Sequence, residues 1–142
     1  MADNSYPDLC DLRDRLATLP LPKLAASKPP AVYGYVRTAV FDMAYADGCT
    51  DLLRDWSQRE GWRLGGVFRD LGVLGSVLER PGFTGLLDVL RLPDSTAALV
   101  LTNRHLSDSN SVAAHLTQTI RRTGATLRVL ADVIEANGVC EP

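Results

Sequence analysis

Arg37 and Ala39 stand two residues apart near the end of VYGYVRTAVFD, Val32 to Asp42, and a β-strand there sends both side chains into the same space. In an open α/β sheet, the space beyond the carboxyl end of a strand is where ligands and chemistry usually sit. Arg37 brings a fixed positive charge to it, whereas position 39 carries only a methyl group and has no chemistry. Asp70, near the end of WRLGGVFRDLG, and Arg80, in ERPG, are further polar groups at predicted strand and loop ends. With Arg37 they make either a structural ion-pair set or the lining of a pocket. His105, just past a third apolar run, is a candidate acid or base, although a lone histidine at a strand end is more often a hydrogen-bonded structural residue. His115 falls mid-helix and reads as a boundary residue.

The elements that would hold these residues alternate. Val32–Asp42 is short, rich in Val and Tyr and preceded by Pro29-Pro30, and reads as a buried first strand. A helix over Thr50–Gly61 follows, with Thr50 as its cap, Leu52, Leu53 and Trp56 on one side and Gly61 as its stop. Trp62–Gly72 reads as the second strand, and LGSVLERPG after it as a long loop. Phe83–Leu92 is predicted helical with Leu86, Leu87 and Leu90 inward, and STAALVLTN supplies a third strand that is apolar on both faces, as a central parallel strand should be. SNSVAAHLTQTIRRTG makes a helix with Val112, Leu116 and Ile120 buried and Gly124 as stop, and Thr126–Asp132 is the last strand. The alternation predicts an α/β fold, a doubly wound and mostly parallel sheet of about four to five strands. VIEANGVCEP, which follows, is too short for a helix-turn-helix.

Ahead of the sheet, DLCDLRDRLATL places Leu9, Leu12, Leu16 and Leu19 at helical spacing, started by Pro7 and Asp8 and stopped by Pro20. Residues 20 to 30, PLPKLAASKPP, form a proline-bracketed linker. The division expected is an N-terminal amphipathic helix and linker, 1–30, and an α/β domain, 31–142. The helix docks on its own domain or, in the sharper reading, on a second subunit.

The 142 residues, 46% of them hydrophobic, suffice for one core. A net charge of −2 and a pI near 5.6 lack the basic excess of a dedicated nucleic-acid binder, so DNA contact is expected to be weak or to depend on a partner. No apolar stretch approaches a membrane span, and the N-terminus MADNSYPD has no signal-peptide pattern, which predicts a cytoplasmic protein without a membrane partner. Cys10, Cys49 and Cys140 fit neither a disulfide framework nor a zinc site, and no metal is expected. Neither G-x-G-x-x-G after the first strand nor G-K-[ST] near Leu74-Gly75 occurs, so no cofactor is expected.

Three strings at strand ends resemble the catalytic domain of the serine recombinases, the resolvase and invertase family. Tyr35-Val36-Arg37-Thr38-Ala39 matches Y-x-R-V-S; Asp70-Leu71-Gly72-Val73-Leu74-Gly75 and then Arg80-Pro81-Gly82-Phe83 match D-x-G-x-S-G and R-P-G-hydrophobic; Arg104-His105-Leu106-Ser107-Asp108 falls on D-R-L-S-R. The resemblance runs from about Val32 to Asp132 and implies the α/β fold already expected. It also implies a serine that attacks a DNA phosphate, at the position of Ala39, and arginines around that phosphate. Arg37 and Arg80 keep two of these positions, while His105 and Asp108 replace two others and Arg104 stands where the family has aspartate. A carboxylate at Asp108 repels a phosphate. Neither Thr38, which points away from Arg37, nor Ser107, which has no recognisable base, is expected to substitute as nucleophile.

The preferred expectation is therefore a non-catalytic, resolvase-like protein that binds or regulates, with Arg37, Asp70, Arg80, Arg104, His105 and Asp108 as a vestigial anion pocket. The alternative is a divergent recombinase acting on DNA phosphodiesters. The family's long helix after the last strand is missing in this reading, and Leu9, Leu12, Leu16 and Leu19 are expected to cover the apolar surface it leaves, most simply across a homodimer or against another protein.

Overall fold

Four parallel strands form the frame, β1 (Ala31–Thr38), β2 (Arg63–Leu71), β3 (Ser95–Val100) and β4 (Thr126–Val129), in the order β2-β1-β3-β4. This α/β architecture is that of a computed structural model, which describes residues 8–19 and 29–138. Pro7, the linker from Pro20 to Lys28, and the tail from Val139 with Cys140 and Pro142 lie outside the described residues. β1 and β3 take the centre because their side chains find apolar cover on both faces. On one face Val32 and Val36 meet Leu52, Leu53 and Trp56 of the first crossover helix; on the other Tyr35 meets Phe83, Leu86 and Leu90, with Leu116 and Ile120 in the same cluster. Period two along β1 thus splits the core into two halves.

Among the described residues five α-helices surround the sheet: α1 (Leu9–Ala17), α2 (Met43–Glu60), α3 (Pro81–Leu90), α4 (Asn110–Arg121) and α5 (Leu130–Gly138). α2 begins seven residues before the expected Thr50. Asp42 is its cap, its carboxylate accepting from the Tyr45 amide at 3.0 Å, and Thr50 lies inside the helix, donating to the Ala46 carbonyl. The early turns carry only a weak apolar signal in the sequence because Ala46 and Cys49, which extend the buried stripe to Leu53 and Trp56, are small. Gly61 ends α2 at φ 78°, as expected. α3 and α4 lie close to their expected ranges, with Ala113 rather than Val112 fully buried on α4.

The last strand stops at Val129, and Leu130 starts α5 where the sequence suggested continued strand and no helix. Leu130, Val133 and Ile134 recur at helical spacing, and β4 is cut short because Leu130 and Ile134 turn into the core beneath α1. Leu12, Leu16 and Leu19 are buried in that same cluster, with Leu9 packed against it, so α1 and α5 together cover this face within one chain. Burying each of these leucines is worth about 1.5–3 kcal/mol. Asp8 caps α1 by accepting from the Cys10 and Asp11 amides. Cys49 is wholly buried, and burial pushes its thiol up to about 12. Among the described residues no helix is long and apolar enough to cross a membrane.

Candidate functional site

The carboxyl ends of β1, β2 and β3 bring every strand-end residue singled out in the sequence to one edge of the sheet. Arg37 closes β1 on the face of Tyr35, and its guanidinium is fully buried between the loops that follow β2 and β3. Nη1 donates to the Val73 carbonyl at 2.9 Å, and Nη2 donates to the Arg104 carbonyl at 2.6 Å and to Asp108 Oδ1 at 3.3 Å. Its Nε is buried without a hydrogen-bond partner. Asp108 also lies 3.9 Å from Arg104 Nη2 and is about half exposed. The carboxylate therefore serves as an internal counter-ion to two arginines.

Arg80 has a different surrounding. It precedes Pro81, the first residue of α3, and donates from Nε to the Val77 carbonyl, from Nη1 to the Leu106 carbonyl and from Nη2 to the Gly75 carbonyl. Three carbonyls of two loops thus converge on one guanidinium and hold those loops together. Asp70 is the register partner of Arg37 on β2, yet its carboxylate turns to Tyr35 and α3: it accepts from the Tyr35 hydroxyl at 2.7 Å and from the Gly82 and Phe83 amides at 2.8 and 2.9 Å. A negative charge on the first amides of a helix satisfies donors that have no partner within the helix. Burial, and then Asp70, raise the Tyr35 phenol far above its ordinary range, so it stays a proton donor to the carboxylate. Gly82 is required by this approach, since a Cβ there would lie 2.4 Å from the Arg69 carbonyl oxygen. The string R-P-G-F accordingly reads as clamp, helix start, close approach and core anchor.

His105 sits in a single 3-10 turn, Asn103–His105, and is fully buried, with Nε2 3.4 Å from the Tyr45 hydroxyl and its ring edge-on to that tyrosine. Burial, and then the charge of Arg37, push its pKa down to about 3, so it is neutral at neutral pH. Ser107 is buried, donating to the Gly75 carbonyl and accepting from the Ser109 amide, which makes it a brace between loops. Thr38 is likewise buried and donates to the Val40 carbonyl. Ala39 is half-buried just beyond β1, and His115 is exposed on α4. Among the described residues no three His, Cys, Asp or Glu side chains are grouped to hold a metal ion.

Sequence reasoning missed Tyr35 and Tyr45 as members of this edge. For Tyr35 the signal was present, since period two places it on the face of Arg37; the partnership of Tyr45 with His105 joins residues 60 apart and leaves no local trace.

A comparison with curated proteins returned no match. The family described as resolvase, N-terminal domain, matches residues 32–138. Among solved structures the fold is similar to the N-terminal catalytic domain of TP901-1 integrase, with a TM-score of 0.65, 22% identity, and 72% of this chain and 79% of that one covered. It is also similar to a resolvase family site-specific recombinase from Streptococcus pneumoniae, with a TM-score of 0.60, 16% identity, and 72% and 73% covered. A third is the C-terminal catalytic domain of ISC1926 TnpA, an IS607-like serine recombinase, with a TM-score of 0.62, 15% identity, and 70% and 67% covered. The strand-end strings, the parallel sheet and the match over most of the chain agree, and the chain belongs to the resolvase N-terminal domain family.

Proposed function

We propose that this chain is a non-catalytic member of its family that acts by binding a protein partner or a second copy of itself. One observation carries the reading: beside Ala39, the position of the family's serine, the Arg37 guanidinium is neutralised by the chain's own Asp108. A reaction that begins with attack on phosphate needs a nucleophilic oxygen and an unmasked positive charge; position 39 supplies no oxygen, and Asp108 balances Arg37. The hydroxyls of Thr38 and Ser107 are committed to backbone carbonyls. On this reading residues 1–30 form an N-terminal arm on the domain 31–142. Since Leu12, Leu16 and Leu19 are buried in their own chain, a dimer through them involves exchange of α1 between copies.

One feature favours the second reading, a divergent enzyme acting on DNA phosphodiesters: the buried Nε atoms of Arg37 and Arg104 have no hydrogen-bond partner and could serve an anion. Incubation of the full chain with supercoiled plasmid, followed by denaturing electrophoresis, separates the two. The expected result is no protein–DNA adduct from the wild type or from Ala39→Ser, because Asp108 still masks Arg37 in that variant. An adduct from the wild type refutes the non-catalytic reading. Affinity for a short duplex is expected at roughly 10⁻⁴ M or weaker at physiological salt.

A further inference from the structure

Among the described residues, all the exposed large apolar side chains but Leu92 lie at the carboxyl edge of the sheet: Val40, Phe41 and Met43 after β1, and Leu74, Val77 and Leu78 after β2. Val40, Phe41 and Leu74 are 70%, 68% and 62% exposed. Exposed apolar residues scattered singly are ordinary on a protein surface, but a concentration on neighbouring loops is not. The two loops are contiguous. The Val73 amide donates to the Thr38 carbonyl at 2.9 Å, and a Cβ on Gly72 would lie 3.7 Å from Phe41 Cβ.

The exposed charged residues on these loops are carboxylates. Asp42, Glu79 and Asp108 are exposed carboxylates, whereas Arg37 and Arg80 are buried and engaged with carbonyls, and Arg104 leans on Asp108. A nucleic-acid backbone approaching this edge meets hydrocarbon and like charge. A second copy is poorly matched as well, because a twofold contact through this face sets the same carboxylates against one another. An apolar segment bearing cations is the complementary occupant.

We infer that this edge is a docking surface for a different protein, which lays an apolar segment over Phe41, Leu74 and Leu78 and brings an arginine or lysine to Asp108. The inference rests on the binding role proposed above and names the chemistry of the partner. Asp108 is 53% exposed, and its solvent side is open to a partner's cation in addition to Arg37 and the more distant Arg104. The apolar loops supply contact area, and the carboxylates set the charge preference.

The test is fluorescence anisotropy of the full chain with a labelled synthetic amphipathic helix, leucine along one face and arginine along the other. A leucine–glutamate helix of the same length and a short DNA duplex are run beside it. The arginine helix is expected to bind at least about tenfold more tightly than either comparator. The double variant Phe41→Ser, Leu74→Ser is expected to weaken it about tenfold or more, Asp108→Asn roughly threefold, and Leu92→Ser not at all. All these side chains are at least half exposed, and unchanged melting temperatures verify that the variants fold. Equal binding of both peptides, undiminished binding by the double variant, preference for the duplex, or self-association abolished by the double variant would each overturn the inference. The adduct assay keeps the two ideas separate: an adduct refutes the non-catalytic role, while no adduct and no peptide binding refute the docking surface alone.

Discussion

Arg37 and Arg80 are equally buried at one edge of one sheet, yet their surroundings differ. Arg80 sits in a closed knot: three backbone carbonyls take its donors, and the Tyr35 hydroxyl beside it is tied to Asp70 and the amides that begin α3. Arg37 sits in an open one, with an unpartnered Nε and a carboxylate partner that is half in solvent. A buried guanidinium surrounded by fixed carbonyls holds loops together; one balanced by a half-exposed carboxylate keeps a charge that other groups can compete for. Two buried arginines at one edge of the sheet thus have different partners, loop carbonyls for Arg80 and a half-exposed carboxylate for Arg37.

The largest effect that tests this contrast is expected from Arg80→Ala. It strips three carbonyls, two of them in buried hydrogen bonds, of their donor, and a loss of about 3–5 kcal/mol is expected, read as a lower denaturant midpoint at unchanged slope. Asp70→Asn comes next, at about 1–3 kcal/mol, because the amide must offer a donor toward Tyr35 or the α3 amides where only acceptors fit. If either variant is as stable as the wild type, the knot around Arg80 is not a scaffold.

His105 gives a measure of the open side. Its folded pKa, about 3, lies below the unfolded value near 6.5, so the unfolded chain binds a proton that the native chain does not. Its contribution to stability is fully present above about pH 6.5 and is lost as pH falls toward 3. In that window His105→Asn should flatten the pH dependence of the unfolding constant, relative to the wild type, by up to about tenfold per pH unit. Parallel curves would mean that His105 is not held neutral by burial and by Arg37.

The smallest change in stability is expected from Asp108→Asn, within about 1 kcal/mol, since an ion pair with a half-exposed partner is largely screened. Its informative readout is different. Sulfate or phosphate is expected to raise the melting temperature of the variant and not of the wild type, because removing the counter-ion leaves Arg37 and Arg104 to an external anion. An equal response in both proteins would show that Asp108 masks nothing.

Much of this was legible in residue order. The apolar runs at Val32, Ala97 and Thr126, the stops at Gly61 and Gly124 and the alternation of periods report local preferences, and local preferences survive in a one-dimensional text. The absence of a hydroxyl at position 39 needs no coordinates at all. Small residues hid the start of α2, and a strand and a helix beginning compete within TLRVLADV, where tertiary burial of Leu130 and Ile134 decides for helix. The partners of the buried charges belong to the fold alone. Arg37 reaches a carbonyl 67 residues away and a carboxylate 71 away, and Asp70 passes over its register neighbour to bond a tyrosine 35 residues back. Such pairings depend on which loops the sheet order β2-β1-β3-β4 sets side by side, and a side chain's spacing in sequence carries no record of that distance.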